Sequence, residues 1–172
     1  MKKLLTKILV PVVIVMIVTI IWAVKNSPDS TPIENGTGKV ADFVLEVSSI
    51  DLEALKEYGL PIIIDFGADS CVPCKEMAPV LKTLNSEMQG KAIIKFVDVW
   101  KNTGAANDFP VQVIPTQIFY GADGKPYVPD EKIGIEFTMY SFKETGDHAF
   151  TVHQGGLTES QMRVILKDLG VE

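Results

Sequence analysis

Cys71 and Cys74 are the only two cysteines of this 172-residue chain, and two residues separate them. They follow the apolar run Leu60–Phe66, which predicts a buried strand, and they precede a helical pattern from Lys75 to Gln89. A cysteine at a helix N-terminus lies near free N–H groups and the positive end of the helix dipole, which stabilise a thiolate. Because the second sulfur is close enough to form a disulfide, the pair is suited to thiol–disulfide exchange.

The same spacing argues against a purely structural disulfide. A loop closed by two intervening residues restricts little chain entropy, so it would add little stability. The length of the chain favours one domain, and a hydrophobic content of 47% is enough for a core.

The N-terminal segment predicts a membrane anchor. Residues Ile8–Val24 are apolar apart from Thr19, and three lysines precede them. This run is longer than the ~7–15 residues of a signal-peptide core and close to the ~17–25 of a spanning helix. An uncleaved anchor within residues 1–25 is therefore favoured over a cleaved signal peptide, which stays an alternative.

Charge predicts the orientation and excludes some partners. The lysines before the span place the N-terminus in the cytoplasm and the rest of the chain on the extracytoplasmic side. Residues 1–25 hold four lysines and no acid, which leaves 12 basic against 22 acidic residues beyond them, a net charge of −10. That charge argues against binding to nucleic acid or anionic lipid. Residues 26–39, rich in Pro, Ser, Gly and Asn, are expected to form a flexible linker to a domain over 40–172.

The order of predicted elements is that of an α/β layered fold. A short helix from Leu52 is capped by Ser49 or Asp51, and a capping box from Thr158 to Gln161 opens a last helix that ends near Leu169. Strands are predicted over Val40–Val47, Leu60–Phe66, Ala92–Val99, Thr116–Tyr120, residues 135–140, where Ile135, Phe137 and Met139 face inward, and Phe150–His153.

Three stretches resemble the thioredoxin family. Residues 65–75, reading DFGADSCVPCK, followed by Met77-Ala78-Pro79, are similar to its active-site stretch. Ile114-Pro115-Thr116 resembles its cis-proline turn, and Gly155-Gly156-Leu157 resembles the segment before its last helix. The resemblance covers about residues 40–172 and implies a thioredoxin-like fold, a central mixed sheet flanked by helices, here preceded by one transmembrane helix.

The resemblance implies a role for each cysteine. Cys71, at the exposed helix start, would attack a substrate disulfide, and the less exposed Cys74 would resolve the mixed disulfide. Asp65 lies within an apolar strand, where burial disfavours ionisation, and would exchange a proton with Cys74. Lys95 either lies near Asp65, as the resemblance implies, or is an ordinary solvated lysine.

The substrate surface is also implied by the resemblance. Pro73 occupies the first helical turn, where its missing N–H is not needed. A cis peptide before Pro115 would expose a backbone edge beside the dithiol, to which a substrate strand could pair. Pro73, Ile114 and Pro115 are therefore expected to contact the substrate.

Several residues depart from the family pattern. Ser70 stands where Trp is usual before the first cysteine, and Gly67 replaces a second aromatic residue. The surface around Cys71 is expected to be less apolar, with a narrower set of partners. Residues 127–148 form a longer segment than a simple hairpin requires, and they either pack their own core face or recognise a partner.

The chain is thus expected to be an extracytoplasmic thiol–disulfide oxidoreductase that reduces protein disulfides without a cofactor or metal. The resemblance implies a membrane thiol transporter as electron donor. One alternative is a metal-binding module that uses the two cysteines. A closed zinc site needs about four ligands, and the only histidines, His148 and His153, are distant in sequence. The alternative that remains is therefore a copper chaperone that holds the metal with the two thiolates. A non-catalytic thioredoxin-like binding domain is a third reading.

Overall fold

A computed structural model of the protein describes residues 43–171, and these form three helices and one five-stranded sheet. In chain order the elements are α1 (Leu52–Lys56), β1 (Ile62–Gly67), α2 (Val72–Glu87), β2 (Ile93–Asp98), β3 (Thr116–Tyr120), β4 (Thr138–Ser141), β5 (His148–Gln154) and α3 (Glu159–Asp168).

The sheet is mixed, with the strand order β2-β1-β3-β5-β4. Strand β1 pairs in parallel with β2 and antiparallel with β3, and the other two pairings are antiparallel. All six residues of β1 are buried, as expected for a continuous apolar strand covered on both faces. The predicted thioredoxin-like α/β architecture is therefore confirmed for the described residues.

The two faces of the sheet carry separate apolar cores. On one face α2 and α3 pack over Ile63, Ile94 and Phe119. On the other face α1 and the segment after β2 pack over alternate residues of the same strands, including Ile64 and Ile118. Because successive side chains of a strand point to opposite faces of the sheet, neighbouring residues of one strand belong to different cores.

Local signals at the helix starts are confirmed. The side chain of Asp51, one of the two predicted caps, accepts a hydrogen bond from Ala54 N at 3.1 Å, so α1 begins at Leu52. Both hydrogen bonds of the predicted capping box between Thr158 and Gln161 are present at the start of α3. Helix α2 begins at Val72, three residues earlier than the predicted helical pattern, and continues through Pro79 to Glu87.

Two strand predictions are wrong in detail. From residue 43 onward, the predicted strand Val40–Val47 contributes only one parallel bridge, from Glu46 to Phe96. The predicted strand over 135–140 is reduced to β4, which begins at Thr138. The Glu136 carbonyl oxygen lies 2.8 Å from His153 Nδ1, so it contacts the His153 side chain instead of a backbone N–H of β5. Met139, predicted to face inward, is 52% exposed.

Within residues 43–171, no helix is both long enough and apolar enough to cross a membrane. The predicted anchor over Ile8–Val24 and the predicted linker over 26–39 lie outside the described residues.

Candidate active site

The two cysteines lie at the N-terminus of α2 and form a disulfide. Cys71 is the N-cap residue, with extended backbone angles, and its Sγ lies 3.3 Å from the backbone N–H of Cys74, which donates to it. Cys71 is 9% exposed and Cys74 is 3% exposed. The predicted order of accessibility is therefore found, although Cys71 is more enclosed than the prediction of an exposed helix start implied.

Asp65 is fully buried in β1, on the face of the sheet that α2 covers. Its neighbour across the strands is Gln117 of β3, whose Nε2 donates a hydrogen bond to Asp65 Oδ1 at 2.7 Å. Burial raises the pKa of Asp65 to about 7, and the hydrogen bond from Gln117 opposes part of that rise. A carboxyl group with this pKa can both take up and release a proton near neutral pH.

Gly67 connects this carboxyl group to the dithiol. Gly67 lies two residues after Asp65 on the same face of β1, about 6.6 Å further along the strand. A Cβ atom at Gly67 would lie 3.3 Å from Cys74 Sγ and 2.8 Å from Cε2 of the Phe96 ring. Asp65 therefore lies below Cys74, two residues before the position of β1 that lies against the Cys74 sulfur. The Phe96 ring fills the space beside Gly67.

The turn before β3 lies against the other sulfur. The peptide bond between Ile114 and Pro115 is cis, as predicted, and the Ile114 carbonyl oxygen is 3.9 Å from Cys71 Sγ. The Pro115 carbonyl oxygen accepts a hydrogen bond from Gly155 N at 2.9 Å. This turn and the segment before α3 therefore border the dithiol together, where the sequence predicted a substrate surface.

The sequence model of the Thioredoxin family matches residues 47–135 of this chain. The chain belongs to the thioredoxin family. The thioredoxin of Staphylococcus aureus strain MW2 is 37% identical over 93 residues, which are 54% of this chain and 86% of that protein; the same values hold for the thioredoxin of strain N315.

Solved thioredoxin structures agree with this fold. Thioredoxin of Fasciola hepatica has a TM-score of 0.50 and 25% identity, over 72% of this chain and 97% of that one. Chloroplastic thioredoxin z, at 23% identity, is similar in fold, with a TM-score of 0.51 over 74% of this chain and 94% of that one. With its paired cysteines, the chain is a thiol–disulfide oxidoreductase of this family, whose members act on disulfide-containing proteins.

Lys95 does not lie beside Asp65, so that prediction is wrong. Lys95 pairs with Ile64 in the parallel register, whereas Asp65 pairs with Phe96. Paired residues share a face, so Lys95 and Asp65 point to opposite sides of the sheet. Lys95 is also not a solvated lysine, because it is 3% exposed and its Nζ donates to the Val44 carbonyl oxygen at 2.7 Å. In this member of the thioredoxin family, its position offers no role in proton exchange at Asp65.

Asp98 is a site residue that the sequence reading used only as part of a strand. It ends β2, is 7% exposed, and accepts backbone hydrogen bonds from Asp69 at 3.0 Å and from Trp100 and Lys101 at 2.9 Å each. Burial raises the pKa of Asp98, but these hydrogen bonds and the Lys101 charge outweigh burial and lower it overall. Asp98 thus fixes the loop that leads into Cys71. An acid near the end of a largely apolar strand was the available signal.

Gln117 is the second residue that sequence reasoning missed. It is fully buried in β3, and its Nε2 lies 2.7 Å from Asp65 Oδ1 and 3.4 Å from Met77 Sδ. A buried amide side chain needs a hydrogen-bond partner, so a glutamine inside a predicted buried strand was the signal that pointed to Gln117. Its pairing with Asp65 follows from strand register, which the local sequence does not specify.

Two recesses flank the dithiol. One, of ≈ 440 Å³, lies on the side of Pro73 and Gly156, and its lining combines the apolar Met77, Val80 and Leu157 with the polar Glu76, Thr158 and Glu159. The other, of ≈ 150 Å³, lies beside Cys74 and Phe96. Val72 and Val113, which are 66% and 52% exposed, add apolar surface next to Cys71. The thioredoxin-like site therefore keeps apolar surface around the dithiol despite Ser70.

Several apolar side chains of residues 127–148 pack against the thioredoxin core, although most residues of the segment are exposed. Tyr127 is 4% exposed, and Phe137 makes edge-to-face contacts with Tyr127 and Phe119. Met139 and Phe142 are each 52% exposed. Most of the aromatic residues of this segment thus serve its own core face, the first of the two predicted roles.

The histidines lie on β5 and not beside the cysteines. His148 Nε2 is 3.1 Å from the Phe150 carbonyl oxygen, and His153 Nδ1 contacts the Glu136 carbonyl oxygen. Among residues 43–171, no group of three or more His, Cys, Asp or Glu side chains is arranged to hold a metal ion. The copper alternative therefore gains no support from this part of the chain.

Proposed function

We propose that this thioredoxin-family protein reduces protein disulfides on the extracytoplasmic side of a membrane, to which residues 8–24 anchor it. The observation that carries the chemistry is the disulfide at the start of α2, with the buried Asp65 one step below Cys74. The location rests on the lysines before the anchor. The direction of electron flow rests on the resemblance, because Pro at the second place between the cysteines, here Pro73, favours a reductant in this family.

The first step is attack by Cys71. In the disulfide, Cys71 Sγ accepts a hydrogen bond from the N–H of Cys74, and in the reduced protein the same N–H and the positive end of the α2 dipole would stabilise the Cys71 thiolate. Its sulfur forms a bond to one sulfur of a substrate disulfide, and the other substrate sulfur leaves with the bonding electron pair and takes a proton from solvent. The product is a mixed disulfide between Cys71 and the substrate.

Cys74 then resolves the mixed disulfide. Asp65 accepts the proton of the Cys74 thiol, and the resulting thiolate bonds to Cys71 Sγ, which breaks the bond from Cys71 to the substrate. The substrate sulfur leaves as a thiolate and takes up a proton, so two electrons pass from the protein dithiol to the substrate. A pKa of about 7 suits Asp65 to this transfer, because the group is neither always ionised nor always protonated near neutral pH.

Substrate contact is assigned to the cis-proline side of the dithiol. The Ile114 carbonyl oxygen borders Cys71, and the ≈ 440 Å³ recess by Pro73 can receive an apolar side chain of the substrate. An extended substrate segment beside the cis-proline turn would pair with the backbone of the half-buried Ile114, since the Pro115 carbonyl oxygen is already bonded to Gly155 N.

Electron supply follows from the proposed location. Outside the cytoplasm the disulfide must be reduced again, and a membrane thiol transporter that donates two electrons by thiol exchange is the proposed partner. The linker that the composition of residues 26–39 predicts would let the domain reach both this donor and its substrates.

The direction of electron flow is tested by equilibrating the full-length protein, in detergent, with glutathione redox buffers. A reduction potential near that of thioredoxin, about −270 mV, is expected for a reductant. A potential near about −120 mV, that of a strong periplasmic oxidant, would reverse the proposed direction. Labelling of Cys71 in intact cells by a membrane-impermeant thiol reagent tests the location, and labelling only after cell lysis would contradict it.

A further inference from the structure

The hydrogen bond between Gln117 and Asp65 joins two side chains that are both fully buried. The donor is an amide and the acceptor is Asp65 Oδ1, at 2.7 Å. The other carboxyl oxygen, Asp65 Oδ2, has no hydrogen-bond partner among residues 43–171. One oxygen is thus fixed by the amide, while the other remains available for a proton.

We propose that Gln117 is a positioning residue for resolution of the mixed disulfide: its amide holds the Asp65 carboxyl group below Cys74, in place to accept the thiol proton. This inference rests on the proposed function, because it concerns the step in which Cys74 displaces the substrate. Among the described residues, the Gln117 amide donates to Asp65 and lies near Met77 Sδ rather than a cysteine sulfur, so it acts through Asp65.

Contacts of Gln117 link the carboxyl group to the turn of α2 that carries Cys74. Gln117 Nε2 lies 3.4 Å from Sδ of Met77, three residues after Cys74 in the same helix. Strand pairing places Gln117 directly opposite Asp65, so the register between β1 and β3 fixes the position of the amide beside the carboxyl group. Two rigid elements therefore hold the amide from both sides.

Few other charged groups face this carboxyl group among the described residues. On β2, Asp98 shares the face at the strand end, where it is engaged by backbone N–H groups, and Lys95 points to the opposite face. On β5, His153 pairs with Gln117 and contacts the Glu136 carbonyl oxygen. On α2, Cys74 is the titratable group above Asp65, and the buried residues of α3 are apolar. Gln117 is thus the polar side chain hydrogen-bonded to Asp65.

The test uses Gln117→Met, which keeps most of the side-chain volume and removes the amide. The oxidised full-length protein in detergent, labelled with ¹³C at aspartate carboxyl carbons, is titrated by NMR, and the Asp65 signal is identified by its loss in Asp65→Asn. Hydrogen bonds to ionised groups stabilise them, so the titration midpoint of Asp65 is expected to rise by about one to two pH units. The pH midpoint of mixed-disulfide resolution, followed by stopped flow in the reduced protein, is expected to rise with it.

Two further variants separate this role from a packing role. Ile118→Val alters the same strand on its other face and is expected to leave both midpoints unchanged. Gln117→Asn keeps an amide with a shorter reach, and a smaller rise in the same direction is expected, which also covers the case in which Gln117→Met does not fold. An Asp65 midpoint that stays unchanged in the Gln117 variants, or one that shifts without any change in resolution, would overturn the proposal. If the wild type exchanges no thiols at all, the proposed function fails, whereas the carboxyl titration alone still reports on the hydrogen bond.

Discussion

Gly67 and Phe96 share one space beside the dithiol: a Cβ atom on Gly67 would lie 2.8 Å from Cε2 of the Phe96 ring. Gly67 stands where the thioredoxin pattern has an aromatic residue, and the ring of Phe96 on the neighbouring strand β2 occupies that space. The departure is therefore compensated from the next strand, and this compensation brings an aromatic edge close to Cys74.

Gly67→Ala is expected to destabilise the oxidised protein by about 1–3 kcal/mol, because the added methyl group overpacks the space between Phe96 and Cys74. Urea unfolding of the variant and the wild type measures the difference. Gly104→Ala is the matched control, because a Cβ there meets nothing closer than 3.8 Å, and it should be close to neutral. Adding Phe96→Leu to Gly67→Ala should recover part of the loss. Equal stability of Gly67→Ala and the wild type would contradict the close contact.

Asp65 should make the protein less stable as the pH rises. Burial raises its pKa from 3.8 to about 7 in the folded state, so the folded protein binds more protons than the unfolded chain between these values. The favourable contribution is complete below pH 3.8 and is lost as the pH rises through 7. From pH 4.5 to pH 8, the wild type should lose about 3 kcal/mol relative to Asp65→Asn. Urea unfolding of both proteins at both pH values provides the measurement, and parallel stability curves would show that Asp65 titrates normally.

Asp98→Asn should loosen the loop before Cys71. The amide keeps one accepting oxygen but loses the charge and the second acceptor, so we expect a loss of about 1–2 kcal/mol at pH 7. Because the pKa of Asp98 is lowered, its contribution is present above its unfolded value of 3.8 and is lost as the pH falls below it. The difference between variant and wild type should therefore shrink at pH 3. Asp123→Asn, in an exposed turn where the carboxylate accepts from Lys125 N, is the control and should have little effect. A loss that is the same at pH 3 and pH 7 would argue against this role.

Lys95→Met is expected to leave the pH dependence of mixed-disulfide resolution unchanged, since Lys95 lies on the face of the sheet opposite Asp65. The variant should be less stable, because the hydrogen bond from Nζ to the Val44 carbonyl oxygen is lost. Stopped-flow resolution rates between pH 5 and pH 9 test the first statement and urea unfolding tests the second. A shift of the pH midpoint by about one unit would mean that Lys95 acts on the proton transfer after all.

The parts of the fold that could be predicted from the sequence are those specified by local signals. The apolar run before Cys71, the capping box at Thr158 and the Ile114-Pro115 turn each act over a few residues, and each is found in the structure. The placement of the dithiol at a helix start follows from the first of these.

The errors have a different physical origin. The resemblance offers Lys95 as one possible neighbour of Asp65, but successive residues of a strand point to opposite faces. The register that decides which residue of β2 shares the face of Asp65 is a long-range property. Gln117 was missed for the same reason, since its role depends on the residue across the sheet. At Met139 the predicted alternation fails, because β4 begins only at Thr138. Residues 135–137 lie outside the strand, so their side chains do not continue its alternation and Met139 is exposed.

The central claim, that Cys71 attacks and Cys74 resolves, is tested most directly by mixing the reduced Cys74→Ser variant with insulin and separating the products on a non-reducing gel. The account predicts a long-lived covalent adduct through Cys71, which disappears on addition of dithiothreitol and is absent from Cys71→Ser, whereas the wild type reduces insulin without accumulating the adduct. No adduct with Cys74→Ser, or an adduct formed instead by Cys71→Ser, would contradict the proposed order of attack.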